Sequence, residues 1–108
     1  MRKPEKVIRN GKVAVLYSPR YGAGWSTWMA SKEQQNLALF DRRFVEAAEA
    51  GVIDIEPLAK EILEDEYVYC GGWANIKLEW LEEGTQFWVD EYDGSESLCV
   101  ENRETFTA

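Results

Sequence analysis

The chain has 108 residues, with hydrophobic side chains at 45%, aromatic ones at 13%, twenty acidic residues against twelve basic ones, and no histidine. That length suits one domain, and an apolar composition with five tryptophans excludes a disordered chain despite a formal charge of −8. Without histidine, a metal-ligand cluster or a supported nucleophile, a non-catalytic binding protein is the stronger expectation than an enzyme, and no cofactor or metal is expected.

Arg2-Lys3-Pro4-Glu5-Lys6 leads into alternating residues rather than an apolar signal core, so a cytoplasmic location is expected. Asn10-Gly11 between short apolar runs predicts a hairpin over 7–13, and Lys12–Tyr17 (KVAVLY) predicts a strand covered on both faces and ended by Ser18-Pro19. Ser31 with Gln34 three residues later fits a capping box for a helix, which Leu37–Phe40 either continues or leaves as a short strand. Asp41 is a fresh N-cap for a helix through Ala50 that Gly51 stops, and Pro57 opens another to about Asp65.

Tyr67–Cys70 reads as a short strand halted by Gly71-Gly72. A β-meander follows: Asn75–Leu81, a turn at Glu82-Glu83-Gly84, Thr85–Tyr92, a tight turn at Asp93-Gly94, and a strand around Ser97–Glu101, with a frayed tail beyond Asn102. The fold class implied is α+β, a mainly antiparallel sheet of four or five strands with two or three helices on one face, in one domain spanning 1–108. No run is long and apolar enough for a membrane span, so no membrane partner is expected.

Tyr17–Trp28 (YSPRYGAGWSTW) interleaves glycines, rings, hydroxyls and an arginine directly after the central strand. Amides near Gly22 and Gly24, the hydroxyls of Ser26 and Thr27, and the Arg20 guanidinium suit an anion nest, while Tyr21 and Trp25 offer stacking surfaces. In the competing reading Trp25 and Trp28 simply cap the core. Gly22-Ala23-Gly24 falls short of a dinucleotide fingerprint, because Thr27 stands where its third glycine would be. Gly71, Gly72 and Trp73 would form the opposite wall if the strands before the two loops were parallel neighbours.

Cys70 has no histidine to generate its thiolate, and Cys70 and Cys99 are expected to stay unpaired. Asp90, Glu91, Asp93 and Glu96 concentrate carboxylates around a turn, and most of that run reads as a solvated hairpin tip, since the spacing fails the EF-hand pattern. Charge is divided along the chain: residues 1–43 hold nine Lys/Arg against three Asp/Glu, a balance of +6, and residues 44–108 hold three against seventeen, a balance of −14. The glycine-aromatic segment thus lies in the basic part of an acidic chain. The acidic remainder disfavours direct nucleic-acid binding, and the opposed patches permit a homo-oligomer.

YSPRYGAGWSTW, FDRRFVEAAEAG, YCGGW and EGTQFWVDEYDGSES together resemble a group of small uncharacterised proteins of bacteriophages and bacterial genomes. The resemblance implies an accessory gene product that modulates a host process, and it carries over no activity, cofactor or site residue. The sequence therefore points first to a protein that binds or sequesters a small, planar, anionic ligand such as a nucleotide. Arg20, Tyr21, Gly22, Gly24, Trp25, Ser26 and Thr27 would form one wall, and Gly71, Gly72 and Trp73 the other. The alternative is an acidic interaction module that inhibits a host protein, in the manner of a nucleic-acid mimic.

Overall fold

Six strands and three helices follow from these signals in a computed structural model, which describes residues 2–100 and 106–108. Strand β1 (Ile8–Arg9) turns through Asn10 and Gly11, both at positive φ, into β2 (Lys12–Tyr17), with Ile8 opposite Val13 and Arg9 opposite Lys12. This is the two-residue hairpin that Asn-Gly favours.

Helix α1 (Lys32–Phe40) is capped by Ser31, whose hydroxyl accepts from the Gln34 amide at 3.1 Å, while the Gln34 side chain accepts from Ala30 N. The Leu37–Phe40 run continues this helix. Asp41 ends it and caps α2 (Arg42–Glu49), accepting from Arg43 N at 3.0 Å, and Gly51 at φ +73° follows its end. Helix α3 (Glu56–Leu63) places Pro57 in its first turn and closes on Glu64 in the left-handed conformation.

The strands form two antiparallel sheets of three, ordered β1-β2-β3 and β5-β4-β6, instead of one sheet of four or five. Strand β3 (Lys77–Glu82) pairs with β2, Lys12 standing opposite Glu82 and Tyr17 opposite Lys77. The chain then leaves that sheet through Gly84 (φ +90°), and β4 (Gln86–Tyr92) pairs with β5 (Ser95–Cys99) and β6 (Phe106–Thr107). The division follows from β2, whose residues from Val13 onward are buried.

On one face of β2, Ala14 and Leu16 join a core with Trp25, Leu37, Phe44, Ile62 and Trp73. On the other, Val13 and Val15 meet Leu39, Phe40, Phe87 and Phe106. A strand apolar on both sides needs two covers, and the second sheet supplies one of them. Burying each such aliphatic side chain contributes about 1.5–3 kcal/mol. Helix α1 serves both cores, since Leu37 and Ala38 face the first and Leu39 and Phe40 the second.

Two expectations are corrected. The segment 67–70 is not a strand, and a 3-10 turn over Gly71–Asn75 takes the place of an early start to β3. In segment 67–70, Val68 and Cys70 pack partly on the first core while Tyr67 and Tyr69 face water, but no ladder forms there among the described residues. Nor are the last residues frayed: β6 pairs Gln86 with Thr107, and Ala108 exchanges backbone hydrogen bonds with Gly84 and Thr85. Phe106 and Ala108 are anchored because they complete the second core. The expected strand end at Glu101, and the start of the expected tail, lie outside the described residues.

A buried carboxylate and an exposed row of rings

Ser18-Pro19 ends β2, and the chain then runs over the second sheet's hairpin. Gly22, at φ +113°, donates its amide to Asp93 O at 2.8 Å, and Ser95 Oγ donates to Pro19 O at 2.6 Å. The hairpin turn is Asp93 (φ +51°) and Gly94 (φ +84°), and a Cβ on Gly94 would overlap the Ala23 amide. A side chain at that point would therefore push the two loops apart.

Glu96 lies beneath this junction and is 1% exposed. Its Oε1 accepts from Ser18 N at 2.9 Å. Its Oε2 accepts from Trp25 N at 2.7 Å, Thr27 N at 3.0 Å and Thr27 Oγ1 at 2.6 Å. Its own amide donates to Ser18 O at 2.8 Å. Four donors converge on one side chain, as in the nests that bind exogenous anions. A concave nest of amides and a hydroxyl is present, but its donors come from Ser18, Trp25 and Thr27, of which only the Thr27 hydroxyl was among those expected from the sequence, and an internal carboxylate fills it.

Sequence reasoning left Glu96 in the solvated hairpin tip with its acidic neighbours. Asp90, Glu91 and Asp93 are indeed exposed. The signal that separates Glu96 is the period of two in Ser95–Cys99: Glu96 shares a strand face with Leu98, which packs on the second core.

The remaining predicted residues divide by depth. Trp25 is fully buried, donates Nε1 to Ala38 O at 2.7 Å, and meets Phe44 edge-on at 5.1 Å and Trp73 at 5.3 Å. Trp73 is buried too and donates Nε1 to Val52 O at 2.7 Å. Ser26 is buried within a 3-10 turn over Ser26–Trp28. Gly24 and Gly72 lie back to back, and a Cβ on Gly72 would overlap the Gly24 carbonyl. The YGAGW and CGGW segments thus meet through backbone contact and a shared tryptophan core. Arg20, Tyr21, Gly22 and Gly71 are exposed, while Arg42 pairs with Glu5 and Glu46, and Arg43 pairs with Asp41. The Asp41 carboxylate holds the Arg43 guanidinium above its ordinary pKa.

Outside the tied interior, large rings remain in water. Tyr21 (71% exposed) meets Tyr92 (73%) edge-on at 6.4 Å, and Trp28 stacks on Tyr69 at 5.5 Å. Glu91 connects the pairs, accepting from Trp28 Nε1 at 3.5 Å and from Gly94 N at 2.7 Å beside Tyr92. Comparison with family models, with curated proteins and with solved structures gives no match. What this surface can do is therefore argued from its chemistry.

Tyr69 continues into a cavity of about 350 Å³ over Ile53, Val68, Cys70 and Trp73, with Asp54 and Glu56 at its edge. Burial pushes the Cys70 thiol up, and Glu56 and Asp54 add to the shift against the opposing effect of Lys60. A thiol held in its neutral form is a poor nucleophile. Both cysteines are free. No helix among the described residues is long and apolar enough to cross a membrane.

Proposed function

We propose that this protein is a non-catalytic interaction module that presents its row of exposed rings, set among carboxylates, to a partner protein. In the phage-type setting implied by its sequence resemblance, that partner is a host protein. The observation that carries the reading is the pairing of exposed rings, Tyr21 with Tyr92 and Trp28 with Tyr69, beside Glu91 and Asp93. Tyrosine and tryptophan supply large contact area at small entropic cost and dominate interface hot spots. Acidic neighbours steer a basic partner and select against acidic ones.

A small anionic ligand retains Arg20 and the Trp28–Tyr69 stack in its favour. Of its expected nest donors, however, the Thr27 hydroxyl is already given to Glu96 and the Gly22 amide to Asp93 O.

The test is capture from a bacterial lysate by immobilised wild type and by a Trp28→Ala/Tyr69→Ala double variant, with Tm measured for both. Each ring is expected to contribute about 2 kcal/mol to binding, so the double variant should lose capture while melting within a few degrees of wild type. Capture that survives the double substitution contradicts the reading. So does a nucleotide that raises Tm by several degrees in a manner dependent on Arg20, which would restore the small-ligand function.

A further inference from the structure

The loop between α2 and α3 places Ile53 in water at 92% exposure, with Val52 beside it at 42%. Isolated exposed aliphatic residues are ordinary, but here two cavities open on either side of the same side chain. One, of about 350 Å³, runs over Val68, Tyr69 and Cys70. The other, of about 380 Å³, runs over Ala48, Val52 and Ile76. Trp73 and Ala74 also line both, so the two cavities adjoin as one groove with Ile53 between them. Trp73 cannot swing to fill it, because its ring is packed on Trp25 and its Nε1 is bonded to Val52 O. The groove is therefore preformed.

The charge at its edge has one sign in excess. Asp54 and Glu56 border the first cavity, and Lys60 is tied to Glu56 at 2.8 Å. Apolar walls with acidic edges match one kind of segment, a bulky aliphatic or aromatic anchor flanked by Lys or Arg.

We infer that this groove is the docking site for a basic amphipathic segment of the partner protein, whose apolar side chains seat on Trp73 and Ile53 while its cations face Asp54 and Glu56. This rests on the interaction-module reading and names the partner's chemistry at one end of the ring row, where Tyr69 belongs to both surfaces.

A fluorescent sixteen-residue amphipathic helix of leucine and lysine serves as the probe. Two controls accompany it: the same composition scrambled to spread leucine around the helix, and a leucine–glutamate version. Site is read from protection of Cys70 against iodoacetamide, with Cys99 as internal reference, and from amide NMR shifts. The leucine–lysine helix should slow Cys70 alkylation, leave Cys99 unchanged and shift Ile53 and Ala74. Ile53→Ser and Glu56→Lys should each weaken its binding about tenfold, as expected for an anchor and a complementary charge.

The inference is overturned if the probe does not bind, if the scrambled or acidic peptide binds as well, or if Ile53→Ser binds undiminished. Binding that shifts Tyr21, Trp28 and Tyr92 without protecting Cys70 also overturns it, yet leaves the interaction-module reading standing. That reading falls separately, on lysate capture that ignores Trp28 and Tyr69. Ile53 and Glu56 are exposed, so both variants are expected to fold, and their Tm values verify it.

Discussion

Residues 18–28 have an inner and an outer side, and the two obey opposite rules. On the inner side, Ser18, Trp25 and Thr27 direct three amides and a hydroxyl at Glu96, and the Trp25 ring fills the core. On the outer side, Tyr21 and Trp28 keep their rings exposed and pair with other exposed rings, Tyr92 and Tyr69. Polar groups of the loop are thus given an internal acceptor where water is excluded, and apolar surface is left over where water is present. The first arrangement holds the fold, and the second is available for binding.

Several substitutions would break or sharpen that contrast. The largest effect belongs to Glu96→Ala, which strands four donors beneath the loop and leaves a cavity. About 3–5 kcal/mol of stability should be lost, a fall in Tm on the order of 15 °C by calorimetry. Gly72→Ala follows, since its Cβ must push the Gly24 carbonyl away, and a loss of about 2–3 kcal/mol is expected in urea unfolding. On the outer side, Tyr21→Ala should change stability by roughly 0.5 kcal/mol or less while removing a ring from the binding surface. If Tyr21→Ala unfolds as readily as Glu96→Ala, the division into two sides is wrong.

The smallest effect is kinetic. Because burial and nearby carboxylates raise the Cys70 pKa, its thiolate fraction at pH 8 is lower than in an unstructured peptide. Alkylation should therefore lag such a peptide at pH 8 and close the gap only as pH rises beyond the ordinary thiol range. Equal rates at pH 8 would show that the thiol is not held above its ordinary range.

Much of the fold was legible because the relevant signals are local. Asn10-Gly11 and Asp93-Gly94 adopt the positive φ values their turns demand, Ser31 and Asp41 cap as expected, and the KVAVLY run is covered on both faces. What could not be read was how that cover is divided, because pairing β3 with β2 and β4 with β5 and β6 depends on contacts far apart in sequence. The same limit governed the site. Sequence showed a loop rich in donors, and only the strand-face argument joining Glu96 to Leu98 could have indicated that an acceptor arrives from 71 residues downstream of Trp25. The exposed rings were undecidable locally, since Trp25 and Trp28 differ by three positions and have opposite fates.

Amide hydrogen exchange at Ser18, Trp25 and Thr27, in wild type and Glu96→Gln, tests most directly whether one internal carboxylate organises the loop. In wild type these amides should be protected nearly as well as those of Val15 and Leu16 in β2. In Glu96→Gln, protection at Trp25 and Thr27 should fall by about tenfold more than at the strand, as loss of a charge-assisted bond requires. Rapid exchange of these amides in wild type, or a uniform change across loop and strand, would contradict the account.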